Sequence, residues 1–289
     1  MNTDWLGNPV STDNPATLQG INDFGHGFLA YEEKALNILG AADADPDCVL
    51  ANAYAAMLFM FSENRQGPDL AKPYMEKAEA GLKGVTDQEK QVTAAIRAWV
   101  DNDILRAIAL TEDIANTWPH ELAIIKAGQY HQFNLGNSPG MLRLINPVMD
   151  ANADNPYVHG MQAFALEQCH QLDAAEAAAW KAVELQRKEP WAHHALAHVM
   201  LTQGRIDEGI RFFDDVRDTW TDLNSFMYTH NWWHDAVFQI SRGHYDAALK
   251  MYDTEIWGKL KDYSQDQIGA VSLLARLELV GVDVGDRWQ

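Results

Sequence analysis

The sequence predicts an all-α protein: a solenoid, or α-α superhelix, of about seven helix pairs stacked side by side. Three observations predict it. After Pro15 apolar residues recur at helical spacing, with almost no period-two alternation. Turn signals fall at regular intervals, leaving units of roughly 30 to 40 residues, each with room for two helices of about 12 to 16. One of these units also returns in sequence, at an offset of 34 residues from Pro156 to Pro190.

Residues 1–15 are read as an amino-terminal extension and 16–289 as a single repeat domain. A first helix is expected over 16–40, with Gly25 and Gly27 weakening its opening turns. Pairs follow at 46–61 with 68–83, 87–100 with 103–117 and 119–134 with 139–150. The breaks at Ala44-Asp45-Pro46, Val85-Thr86-Asp87, Trp118-Pro119, Asp154-Asn155-Pro156 and Glu189-Pro190 share one logic. Each puts Pro or an N-cap residue type at the start of the next helix, where a missing N–H costs nothing.

The carboxyl-terminal half is more regular. With Pro156 laid on Pro190, Tyr157 falls on Trp191, His159 on His193, Ala163 on Ala197, Leu172 on Ile206 and Asp173 on Asp207. The turn Gly204-Arg205-Ile206-Asp207 returns as Gly243-His244-Tyr245-Asp246. After it come Gly209 and Phe213 in one unit, Ala248 and Tyr252 in the other. The small residue lets helices approach and the aromatic four later fills the space beyond the contact. A 34-residue offset with this turn, and Trp232 on the first helix of its unit, is a tetratricopeptide-like pattern. Gln265–Gly281 reads as a last helix without a partner. A solenoid closes with a capping helix, so either the chain caps itself or a second copy covers that end as a homodimer.

Composition narrows the functional classes. Of 289 residues, 47% are hydrophobic and 10 are Pro, which is a folding composition. The first thirty residues hold no basic-then-apolar leader, and no apolar run reaches the roughly 18 residues of a spanning helix. Cys48 and Cys169 are too few for a disulfide framework or a thiolate zinc site. A cytoplasmic location is therefore expected. The net charge of −19 speaks against nucleic acid and against anionic membrane surfaces.

The first helix of each pair lines the concave face of such a stack. Counting back from the turn Gly204 places Trp191, His194 and His198 in that groove. The same count from Gly243 places His230 and Trp233 there, with His234 at the margin. Earlier units contribute Tyr157, Gly160 and Phe164, then Lys126 and Tyr130. Two neighbouring inner helices thus carry His-x-x-x-His pairs, and residues four apart share a face. Inner helices about 8–10 Å apart would bring the four imidazoles together, framed by Trp191, Trp232 and Trp233. His193 is expected at the surface or between repeats, and His26 at a helix start.

Three functions fit this patch. As a binding module, it would hold a small molecule or short peptide between Tyr157, Phe164, Trp191 and Trp233, with Tyr130 and Asn231 adding polar contacts. As an enzyme, it would use His194, His198, His230 and His234 as catalytic groups in acid–base or metal-assisted chemistry on a small substrate. Imidazoles at i, i+4 are good ligands for Zn, Cu, Ni or Fe, but the sequence brings no carboxylate to the set, since Asp235 points about a hundred degrees from His234. As a pure protein–protein scaffold, it would tolerate loss of the histidines. The cofactor, if one is used, is unknown from sequence.

The chain resembles the tetratricopeptide repeat protein 38 family and its bacterial relatives. The resemblance lies in Trp191-Ala192-His193-His194-Ala195-Leu196-Ala197-His198 and Thr229-His230-Asn231-Trp232-Trp233-His234-Asp235-Ala236, supported by Gly243–Leu249 with Tyr252-Asp253 and by Val284–Trp288. It runs over most of the chain and is most specific over 155–260. It implies an all-helical protein with a site at His194, His198, His230, Asn231 and His234, and implies no particular activity. The chain departs from the family pattern at Leu201, where the pattern has Glu, and at Gln129-Tyr130, where it has His-Asp. The family pattern also continues beyond the Gly-x-Arg-Trp segment, so a shortened stack with an exposed end, favouring a dimer, is a further expectation.

Overall fold

The computed structural model describes residues 2–289. It is an all-helical, tetratricopeptide-like superhelix of seven helix pairs and a last single helix. The pairs are α1/α2 (Pro15–Ala30, Asn37–Ala44), α3/α4 (Val49–Met60, Gly67–Ala80), α5/α6 (Asp87–Val100, Ile104–Thr117) and α7/α8 (Leu122–Asn134, Ser138–Ile145). Then come α9/α10 (Pro156–Gln168, Leu172–Leu185), α11/α12 (Pro190–Thr202, Ile206–Val216), α13/α14 (Ser225–Ser241, Tyr245–Met251) and α15 (Ser264–Leu279). Among the described residues, no helix is long and apolar enough to cross a membrane.

The helix starts follow the sequence signals. Thr86 and Glu89 form a reciprocal capping box on α5. Asn155 caps α9 ahead of Pro156, and Glu189 caps α11 ahead of Pro190. The turns after α11 and α13 place Gly204 and Gly243 at φ 72° and 80°, a left-handed backbone that glycine adopts without steric cost.

The amino-terminal region differs from expectation. Instead of one helix over 16–40, α1 stops at Ala30, because Tyr31 takes a left-handed conformation at φ 58°. A short 3-10 segment, Glu33–Leu36, then leads into α2. Gly25 and Gly27 lie in the closing turns of α1, where they admit neighbours. A Cβ on Gly27 would sit 2.6 Å from the Ala35 nitrogen, and one on Gly25 would sit 2.9 Å from Trp5 Nε1. Strands, unexpected from the pattern, occur as two-residue pieces, Asn2–Thr3 paired antiparallel with Pro9–Val10.

The break at Tyr31 turns the chain across the concave side. Leu29 and Ala30 pack with Leu122 and Ile125 of α7 and with Met161 and Phe164 of α9. Lys126 Nζ donates to the Phe28 and Leu29 carbonyls at 2.8 and 3.0 Å. Beyond the break, Asn224 N donates to Tyr31 O at 2.6 Å, and Lys188 bridges Glu32 and Asp222. The last helix also reaches back to the second helix pair. Tyr263 donates to Phe61 O at 3.4 Å, and Gln265 on α15 donates to Glu63 after α3. The last helix packs Leu273, Leu274 and Leu277 on Ala236 and Ala248, so the chain covers that end of its own core.

The small-then-aromatic rule holds with one refinement. Gly209 on α12 faces Phe238 of the next unit's first helix, and a Cβ there would lie 2.2 Å from the ring. Gly209→Ala should therefore overpack the α12–α13 contact and lower stability by about 1–3 kcal/mol. Urea unfolding of the two proteins measures this, and an unchanged midpoint would show that the contact is slack.

Candidate functional site

The site forms where α11 and α13 pack side by side on the inner face. The Glu189 cap and Pro190 start α11 so that Trp191, His194 and His198 fall on one side, three and four residues apart. Asn224 caps α13 by accepting from Met227 N at 3.0 Å, and His230, Trp233 and His234 follow on its inner side. One ring nitrogen from each of His194, His198, His230 and His234 lies within 4.8 Å of the others. His230 Nε2 is 3.0 Å from His194 Nε2 and 3.3 Å from His234 Nε2.

The count back from Gly243 misplaces α13. His230 lies beside His194, with ring centroids 4.9 Å apart, and His234 lies beside His198 at 4.7 Å. His234 is therefore a full member of the quartet. The physical reason is length: α13 has 17 residues and α11 has 13, so its turn glycine lies about one turn farther from the site.

Aromatic side chains fix the imidazoles. Trp191 stacks on His194 at 4.4 Å and 15°. Phe226 and Trp233 flank His230 with interplanar angles of 20° and 2°. Phe164 adjoins Trp191 at 4.5 Å and reaches both His194 and His198. Burial pushes the His230 imidazole down to about 3 and those of His194 and His234 well below their ordinary value, with the neighbouring imidazoles acting in the same direction. His194 Nδ1 and His234 Nδ1 are buried without a hydrogen-bond partner. His198 has one: its Nδ1 is 3.3 Å from Glu167 Oε2.

Glu167 is the residue that sequence reading missed, and a signal for it existed. It stands 34 residues before Leu201, so it occupies on α9 the repeat position that Leu201 occupies on α11. Glu167 brings a carboxylate to His198 from the preceding repeat. Also missed were Tyr31 and Phe226, which the break after α1 and the start of α13 bring to the same wall.

The quartet opens onto a cavity of about 1170 Å³. His194, His198, His230, His234, Phe164, Trp191, Trp233 and Tyr130 all line it. Tyr130 does so from α7, with its hydroxyl donating to Glu63 at 2.9 Å. Two expected residues do not line it. Tyr157 turns toward Trp5 and His26, its hydroxyl 3.3 Å from His26 Nε2, because those residues fill the space beside α9. Asn231 is buried between helices and donates to Pro190 O at 3.3 Å, since its place on α13 faces the body of α11. Trp232 also lies away from the cavity, wedged between helices and edge-on to the buried Trp220 at 5.5 Å. His193 lies between repeats, fully buried, and accepts from Trp220 Nε1 at 3.1 Å.

No family model matches the chain. Among solved structures, the crystal structure of the P58(IPK) TPR domain is similar over 92% of this chain and 98% of that one. The identity is 12% and the TM-score 0.29.

Lys126 faces the cavity across from the quartet, with its ammonium 3.5 Å from the centre of the Tyr31 ring. Burial pushes its pKa well below the ordinary lysine value. Its two acceptors belong to the last turn of α1, where carbonyls have no partner within the helix and the dipole is negative. Lys126→Met should orphan both carbonyls, at about 1–3 kcal/mol each. Thermal unfolding and hydrogen exchange over residues 26–33 would register this, and unchanged exchange in that segment would contradict it.

Proposed function

We propose that the protein binds a small, largely apolar molecule with an aromatic or flat ring, held in the cavity with the histidine quartet as its polar floor. The observation that carries this reading is the cavity itself. At about 1170 Å³ it is somewhat larger than the roughly 300–1,000 Å³ of ordinary ligand sites, and its walls combine aromatic side chains with a few convergent polar groups. Phe164, Trp191 and Trp233 offer stacking faces, and Tyr130, Lys126 and the imidazoles offer hydrogen bonds.

The contacts that run across the concave face favour a small molecule over the other two occupants. An extended peptide needs a groove open at both ends, and a scaffold needs an accessible concave face. Here the segment through Tyr31 and the contact of Tyr263 with Phe61 run across that face. Acid–base chemistry by His194, His198, His230 and His234 would act on a molecule held in this same cavity, so binding is the prior step. The two histidine-bearing helices are also the part of the chain that resembles the tetratricopeptide repeat protein 38 family, and we place the chain near that family on their strength. The reading extends to action in the cytoplasm and to a second copy seated on the outer side of α15, where Ile268, Val271 and Leu279 are exposed.

An environment-sensitive apolar dye such as anilinonaphthalene sulfonate tests the cavity. Saturable one-to-one uptake is expected, with quenching of tryptophan emission. Trp191→Ala should weaken it about tenfold or more, the loss of one buried aromatic contact. Absence of uptake by the folded protein, or equal affinity in the variant, would remove the cavity as the binding site.

A further inference from the structure

We infer that His194, His198, His230 and His234 form a binding site for one divalent late first-row transition metal ion, of which zinc is the representative. This goes beyond ligand binding in the cavity and does not require it.

The spacing of the nitrogens is the first ground. A tetrahedral ion with nitrogen ligands at about 2.0–2.1 Å holds those ligands roughly 3.3–3.4 Å from one another. His230 Nε2 stands 3.0 and 3.3 Å from the Nε2 atoms of His194 and His234, and all four ligand nitrogens fit within 4.8 Å. Small movements of rings already on two rigid helices complete the geometry. The i, i+4 pairs come from adjacent inner helices, so the site is spanned by backbone that the packing fixes independently of any ion.

Hydrogen bonding among the imidazoles does not account for the arrangement. A neutral imidazole has one donor and one acceptor nitrogen. His230 Nε2 touches two other Nε2 atoms, and with one proton or one lone pair it makes only one good bond between them. The opposite nitrogens of His194 and His234 are buried without partners, which costs about 1–3 kcal/mol for each polar group. Nature seldom leaves such groups unexplained. A cation accepts all the converging Nε2 lone pairs at once, while the Nδ1 atoms of His194 and His234 lie on the far side of their rings and keep their desolvation cost.

The donor set selects the ion. Four imidazoles with no thiolate and no carboxylate in direct reach suit Zn, Cu, Ni or Fe and do not suit Mg or Ca, which take oxygen ligands. Glu167, 3.3 Å from His198 Nδ1, leaves the other nitrogen of that ring to the ion. It is the carboxylate–histidine partner that orients a metal-ligating imidazole. Glu167 is thus a positioning residue.

The test is titration of tag-free, chelator-stripped protein with Co(II). One-to-one uptake is expected, with visible d–d absorption of four-coordinate nitrogen ligation, displaced by stoichiometric Zn(II). The double variant His194→Gln with His230→Gln should lose the band, and Glu167→Gln, which keeps all four imidazoles, should weaken uptake about 10–100-fold. His198→Gln serves if the double variant fails to fold, and should also weaken uptake and change the spectrum. No Co(II) band in the folded wild type, or a band unchanged in these variants, would overturn the site and leave the quartet as a packed imidazole cluster. The two assays on the wild type separate the proposals: dye uptake by the chelator-stripped protein without a Co(II) band leaves the cavity reading standing alone, and a Co(II) band without dye uptake leaves the metal site standing alone.

Discussion

A curved stack of helix pairs encloses a hollow, and what happens at the mouth of that hollow decides what the fold can hold. In this chain the mouth is crossed by the few residues after α1. The left-handed backbone at Tyr31 ends the helix, and the buried amine of Lys126 takes up the carbonyls that the ending leaves bare. The segment then ties to Asn224, one residue before the helix that carries His230 and His234. The placement of α13, the wall made by Tyr31 and Phe226 and the depth of the cavity all follow from this crossing. A large void does not itself stabilise a protein, since its lining forgoes packing contacts. The packing stability of the fold therefore resides in its continuous cores, from α1–α7 through α13–α15, and not in the hollow beside them.

Most of the fold was legible because a repeat solenoid is written in local terms. Periodicity, proline and cap residues, and the turn glycines each act over a few residues, and they mark the pairs from α3 to α14 closely. The amino-terminal break was not legible. Tyr31 is neither glycine nor asparagine, so nothing local announces a left-handed residue, and the contacts that hold it lie on α7, α11 and α13. Contacts between residues 61–63 and 263–265 are equally invisible to a local reading, as they join segments some two hundred positions apart.

The site was legible in part for the same reason. Four histidines at i, i+4 on consecutive inner helices announce convergence, and the structure brings them together. The assignment of inward faces was weaker. It depended on counting back from a turn, and the longer α13 shifts that count by about one turn. Asn231 and Trp232 were read as part of the site, although the helical angle from His230 carries both into the packing between helices. Tyr157 occupies the right repeat position, yet Trp5 and His26, brought in by the amino-terminal segment, draw it away. Glu167 was overlooked because the carboxylate was sought on the same helix as its histidine, while a repeat protein can furnish it from one repeat earlier.

The contact between the last helix and the second helix pair has a bearing on how this molecule comes apart. An open solenoid behaves as a one-dimensional chain of neighbours, in which terminal repeats have one interface fewer and fray first. Joining Phe61 and Glu63 to Tyr263 and Gln265 turns that line toward a loop. The carboxyl-terminal helix can then peel away only by giving up the joining contact as well as its own interface. Early and late repeats, remote in the chain, are thereby coupled directly, which an open line of repeats does not allow.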